Sequence, residues 1–191
     1  MARPRKFDEG RAVDAAMRAF WTAGYDGTST QELCDATGLG RSSIYNTFES
    51  KHELFCKALA RYMELRTGSL IELLEDPGRP VRERLREVLA GAAEPAGEDP
   101  LGCFVVNTMV ELSPRDPEIA GLIDRDQRRR LDALRAAIET GRAAGEIDAG
   151  KDAETLARFV VSTVTGMRVT ARGGADRTVL RAIADTAMAA I

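Results

Sequence analysis

Apolar side chains in this chain return every three to four positions rather than every second one, the spacing of a helix face. Behind Asp8, which can cap a helix start, Val13, Ala16, Met17, Phe20 and Trp21 stand at i, i+3, i+4, i+7 and i+8. Trp21 belongs to that core stripe, and Gly24 ends the helix. The pattern resumes at Ser29-Thr30-Gln31-Glu32, a hydroxyl with an acid three residues on, which predicts a second helix with reciprocal capping. Gly38 stops it, because the turn that follows needs a residue tolerant of positive φ. A third, short helix over residues 41–47 offers only Ile44 and Phe48 to a core, and Leu33 meets Ile44 across the turn.

Longer helices follow. Ser50 and Glu53 form a second capping box before Phe55, Leu59, Tyr62, Met63, Leu70 and Leu74, which keep register until Asp76-Pro77-Gly78. Pro80 opens a fifth helix with Val81, Leu85, Val88 and Leu89 inward, and residues 94–100 break the pattern as a loop. Residues 102–112 are apolar nearly all round, which predicts a buried helix, except that Cys103, Asn107 and Glu111 share one face. After Ser113-Pro114-Arg115-Asp116-Pro117, residues 118–144 carry a stripe of Ile119, Leu122, Ile123, Leu131, Leu134 and Ile138, with Arg128, Arg129 and Arg130 on a solvated side. An eighth helix from Asp152 and a ninth after Gly173-Gly174, with Asp176 as its cap, complete an all-α chain of about nine helices. The organisation expected is a three-helix module over residues 1–50 containing a helix-turn-helix, then a larger helical domain over residues 51–191.

A helix that buries as little as residues 41–47 is suited to presenting side chains, and one helix fits the DNA major groove while its predecessor crosses the backbone. Together with Gly24-Tyr25, Ser29-Thr30, Gly38-Leu39, Ile44-Tyr45, Phe48 and Lys51 with Leu54, this stretch resembles the TetR family of bacterial transcriptional regulators. It departs from the family's usual residues at Cys34, commonly alanine, and at Thr47, where an aromatic or histidine is frequent. The resemblance implies phosphate contacts from Thr30, Tyr45 and Lys51 and a groove-facing set of Arg41, Ser42, Ser43, Asn46 and Thr47, with double-stranded operator DNA as partner. It also implies a homodimer formed by the last two helices. Their surplus of apolar residues points to Val160, Val164, Met167, Leu180, Ile183 and Ala187 for that interface, and the two reading helices would then sit about 34 Å apart.

Charge adds one feature. The net charge is −3, and residues 1–53 are nearly balanced, so basicity is local: Arg3, Arg5 and Lys6 form an N-terminal arm of the kind that reaches phosphates or a minor groove, or a terminus basic by chance. Three scattered cysteines without CxxC spacing argue against a disulfide framework or a zinc site. His52, the single histidine, reads as a surface residue with no cysteine placed to join it in a ligand set. No catalytic pair, phosphate loop, metal cluster or cofactor motif is present, which argues against the common enzyme classes and calls for no cofactor. No run reaches a membrane span and no signal peptide is legible, so the cytoplasm is the expected compartment.

The polar positions on residues 102–112 admit two readings: they line a cavity for a small, hydrophobic effector, or they lie at a helix edge satisfied by solvent or neighbours. On the first, Tyr62, Met63, Cys103, Phe104, Asn107, Glu111 and Phe159 are the candidate lining, and the protein is a ligand-responsive regulator, a repressor in the family's usual mode. A DNA-binding regulator without an effector is the alternative. So is a thiol-based sensor, since the Gly-Cys start of this segment resembles a subset of the family that includes electrophile and redox sensors; Cys103 is otherwise a small packed residue.

Overall fold

The computed structural model describes residues 8–94 and 102–191, and among these residues it is all-helical. The elements are α1 (Glu9–Gly27), α2 (Thr30–Thr37), α3 (Arg41–Phe48), α4 (Lys51–Glu75), α5 (Val81–Ala93), α6 (Phe104–Glu111), α7 (Pro117–Ala143), α8 (Ala153–Arg172) and α9 (Arg177–Ala190). Arg3, Arg5 and Lys6 of the basic arm, and residues 95–100 of the expected loop, lie outside the described residues.

The polar residues that open these helices accept the amides expected of caps, but at Ser50 only that half of the expected box forms, the Glu53 carboxylate pairing with Lys57 instead. Asp8 accepts from Arg11 N, Ser50 from Glu53 N, Asp152 from Thr155 N and Asp176 from Val179 N. At α2 both halves of the capping box are made, Ser29 Oγ to Glu32 N at 3.1 Å and Glu32 Oε2 to Ser29 N at 2.6 Å. Gly38 closes α2 in the left-handed region at φ 69°. The helical path of α1 is interrupted at Gly24, at φ 78° and ψ 176°, and Thr28 Oγ1 donates to the Gly24 carbonyl at 2.6 Å to hold the turn into α2. A second sharp turn, between α3 and α4, places the non-glycine Glu49 at φ 56°. Two boundaries differ from expectation. Gly102 at φ 72° and an extended Cys103 shorten α6 to eight residues, and Pro117 rather than Glu118 begins α7 under an Asp116 cap.

Two apolar cores form. The first gathers Phe20, Leu33, Ile44 and Phe48 as expected, but it continues without a break through Leu54, Phe55 and Leu59 of α4 to Phe104 of α6 and Ile119 and Ile123 of α7. Edge-to-face ring pairs mark the passage, Phe20 on Phe55 at 4.9 Å and Phe55 on Phe104 at 5.5 Å between centroids. The three-helix module therefore rests on α6 and the start of α7 instead of closing on itself. The second core joins α5, α7, α8 and α9 around Leu85, Leu89, Leu134, Ile138, Val160 and Leu180. Arg84 is buried beside it, where its Nη1 donates to the Leu74 carbonyl and so caps the end of α4, a role no periodicity announces.

Candidate nucleic-acid interface and regulatory cavity

α3 turns Ile44 and Phe48 inward, with 1% and 0% exposure, and leaves Arg41, Ser42, Ser43, Tyr45 and Asn46 exposed. Thr47 is half-buried and its hydroxyl donates to the Ser43 carbonyl at 2.8 Å, so that group is engaged within the helix. The Tyr45 hydroxyl lies 3.3 Å from Thr30 Oγ1, joining α3 to the first residue of α2, and the Arg41 guanidinium stands 5.9 Å from the Tyr45 ring centre. The Thr30 hydrogen bond, with Arg41 beside it, holds the Tyr45 phenol below its ordinary pKa. Lys51, at the start of α4, places its ammonium 4.5 Å from the centre of the Tyr25 ring. Hydroxyls, an amide and two cations thus edge one surface without a carboxylate on α3, the chemistry that phosphates and base edges need.

Behind this surface the chain is clamped to α6. Glu111 does not simply face a cavity: its Oε1 accepts from Asp26 N at 3.0 Å, and Arg115 pairs with the Asp26 carboxylate while its Nε donates to the Glu111 carbonyl at 3.2 Å. Gly24 lets the carboxylate come so close, since a Cβ there would sit 2.9 Å from Glu111 Oε2. His52 also departs from expectation. Two-thirds of its side chain is covered, its Nε2 lies 2.7 Å from Asp116 Oδ2, and Cys56 Sγ lies 3.7 Å from Nδ1. The i, i+4 spacing of His52 and Cys56 was the available signal; their partners come from the α6–α7 turn. Burial, then the carboxylates of Glu118, Asp116 and Glu53, push the Cys56 thiol up to about 11.

Two cavities flank α6. One of about 470 Å³ lies among α4, α5, α6, α7 and α8, and Tyr62, Met63 and Cys103 are on its wall. The other, about 380 Å³, lies between α1, α6 and α8 and takes Cys103, Phe104, Asn107 and Glu111. The proposed lining is therefore divided between two spaces that share Cys103. Phe159 lines neither; it is exposed on α8. The Tyr62 hydroxyl donates to Cys103 Sγ at 3.8 Å, and burial pushes that phenol up to about 12. Asp126, which sequence pattern alone passes over, is buried in the wall of the larger cavity with Oδ1 unpartnered, while Thr67 hydrogen-bonds the carboxylate. Burial raises its pKa.

The pair α8 and α9 sorts its apolar residues differently from expectation. Val160, Met167, Leu180 and Ala187 are buried inside the second core, where they pack against α5 and one another, so they are not available to a partner. Val164 and Ile183 are half-buried at its edge. The outward apolar positions are Phe159, Val169 and Val179, with 38%, 54% and 47% exposure, and Gly166 leaves open space beside them.

This fold is shared with known proteins. The family described as bacterial regulatory proteins, tetR family, matches residues 12–58, and the tetracyclin repressor-like C-terminal domain matches residues 81–187. The HTH-type transcriptional repressor ComR of Escherichia coli (strain K12) is 32% identical over 188 residues, 97% of this chain and 90% of ComR. An uncharacterized HTH-type transcriptional regulator of Bacillus subtilis (strain 168), YezE, is 31% identical over 181 residues, 92% of each chain. A cysteine mutant of the TetR family regulator CifR, solved in complex with 26-bp double-strand operator DNA, superposes with a TM-score of 0.86 at 31% identity, covering 98% of this chain and 99% of that one. The chain belongs to the TetR family of bacterial regulatory proteins.

Proposed function

We propose that this protein is a DNA-binding transcriptional regulator that acts as a homodimer and gives up its operator when a small molecule occupies the cavity among α4 to α8. The observation that carries the reading is α3: two side chains inward and a carboxylate-free polar face outward, set immediately before the long helix that walls the cavity. Arg41, Ser42, Ser43 and Asn46 are assigned to base edges, and Thr30, Tyr45 and Lys51 to phosphates. Thr47, its hydroxyl bonded within α3, contributes at most its methyl group. ComR is a repressor and CifR was solved on operator DNA, which supports repression by operator occupancy here.

The cavity suits an effector with an apolar body and at least one hydrogen-bond donor. Met63, Leu70, Val88 and Val105 supply the apolar wall, and the unpartnered Asp126 oxygen awaits a donor. Such a ligand moves α4 and α6 relative to one another, and α6 is bonded through Glu111 and Arg115 to the end of α1. A conformation that fits the effector and misplaces α3 is then selected at the expense of the DNA-bound one.

Mobility shift and footprinting with the DNA flanking the protein's own gene, repeated across a panel of apolar alcohols, amines and amides, tests this. The expected result is a protected pseudo-palindrome released by a panel member, with the release lost in Asp126→Ala. Operator binding that no panel member disturbs would remove the effector from the reading and leave the DNA-binding role.

A further inference from the structure

The first turns of α4 and α7 meet in a side-chain cluster that the regulatory reading leaves unused. His52 Nδ1 lies 3.7 Å from Cys56 Sγ and 3.9 Å from Glu118 Oε2, and the three donor atoms all fall within 4.8 Å of one another. The opposite ring nitrogen, Nε2, is 2.7 Å from Asp116 Oδ2. With the ring proton on that side, Nδ1 is left as a free donor atom beside the thiol and Glu118. A carboxylate holding the far nitrogen is how metal-ligating imidazoles are oriented. Asp116 is itself fixed, because its Oδ1 accepts from the Glu118 and Ile119 amides at 3.1 Å each.

We propose that His52, Cys56 and Glu118 bind a thiophilic divalent transition-metal ion, Zn²⁺ being the type case, with Asp116 positioning the imidazole and water completing a tetrahedron. The separations suit it. Bonds of about 2.3 Å to sulfur and about 2.0–2.1 Å to nitrogen and oxygen at tetrahedral angles put S···N at about 3.6 Å and N···O at about 3.4 Å. The His52–Cys56 pair stands close to that value. Glu118, whose side chain is 67% exposed, needs only a torsional adjustment to close in. Three carboxylates, from Glu118, Asp116 and Glu53, make the surroundings of the thiol negative, which favours a cation there. Binding deprotonates Cys56, and the proton leaves to solvent as the metal–sulfur bond forms. The ion bridges α4, four residues after α3 ends at Phe48, to the base of α7, so occupancy pins the helix that directly follows α3 against α7.

Co²⁺ titration of the metal-stripped full chain, followed by Zn²⁺ displacement, tests this without reference to DNA. The expected result is stoichiometric binding with a thiolate-to-cobalt charge-transfer band and intense tetrahedral d–d bands, all removed by Zn²⁺, and a Zn²⁺-dependent rise in the thermal midpoint. Cys56→Ser abolishes the charge-transfer band although Cys34 and Cys103 remain, and the double variant Cys34→Ser/Cys103→Ser keeps it. Asp116→Asn, which preserves an N-cap, weakens Co²⁺ binding by about 10–100-fold. Glu118→Gln, at an exposed position where folding is not at stake, weakens it at least as much. No charge-transfer band at stoichiometric Co²⁺, or a band that survives Cys56→Ser, would overturn the site and leave a hydrogen-bonded cluster.

Discussion

Gly24 and Gly38 both take positive φ, and the consequences of filling them differ. At Gly38 an added Cβ meets nothing within 4 Å, so Gly38→Ala bears only the left-handed conformational cost, about 1–2 kcal/mol. Gly24, at ψ 176°, lies in a region essentially reserved for glycine, and the new methyl group would strike Glu111. Gly24→Ala is expected to lose about 1–3 kcal/mol from strain alone, and more from displacing Glu111 off the Asp26 amide. Urea unfolding of the two variants measures the gap, and equal losses would contradict the Glu111 clamp. Asp126 yields a pH-dependent prediction. Its folded pKa is raised by burial, so as pH climbs above the ordinary carboxylate range the unfolded chain releases a proton that the folded chain still holds, and stability falls. Asp126→Asn should therefore be more stable than the parent at neutral pH, with the difference shrinking as pH drops through that range. Urea midpoints at neutral and mildly acidic pH decide it; a difference that does not vary with pH would sink the idea.

At the scale of elements, the proposed role of α3 is to read bases and that of the start of α4 is to anchor phosphates. Arg41→Ala should cost about 1–3 kcal/mol of specific binding and relax preference at one base pair. Lys51→Ala should weaken all sequences alike and lower the salt slope by about one. Affinities at several salt concentrations separate the two, and indistinguishable behaviour would contradict the assignment. Much of this architecture was legible because its causes are local: a hydroxyl or carboxylate before α1, α2, α4, α7, α8 and α9, glycine after α2, apolar residues at helical spacing. What stayed hidden came from contacts between distant segments. Val160, Met167, Leu180 and Ala187 carry the same apolar signal as Phe159, Val169 and Val179, and only the packing of α5 against α8 and α9 decides which set is spent inside the chain. Arg84 and Asp126 carry no signal of burial in the sequence pattern, and only the end of α4 and the cavity wall enclose them. His52 looked isolated because Asp116 and Glu118 reach it from another turn.

At the scale of the molecule, an unbroken core runs from α3 through α4 to α6 and α7, so a change in the cavity has a packed route to the DNA-reading surface. Two copies are needed for that surface to recognise an operator, since one short helix spans only a few base pairs. Phe159→Asp with Val169→Asp should turn a dimer into a monomer in sedimentation and abolish operator binding while the chain keeps its helical circular dichroism, because both positions are exposed. A persistent dimer would place the interface elsewhere. The most direct test of the regulatory reading is selection of bound fragments from a random DNA pool by the purified protein at fixed salt, run beside Arg41→Ala. A pseudo-palindrome whose half-sites lie about one helical turn apart, about 34 Å centre to centre, and whose enrichment is lost at one position of each half-site in Arg41→Ala, is the expected outcome. Enrichment of no sequence, with binding that only falls with salt, would mean that α3 does not read DNA.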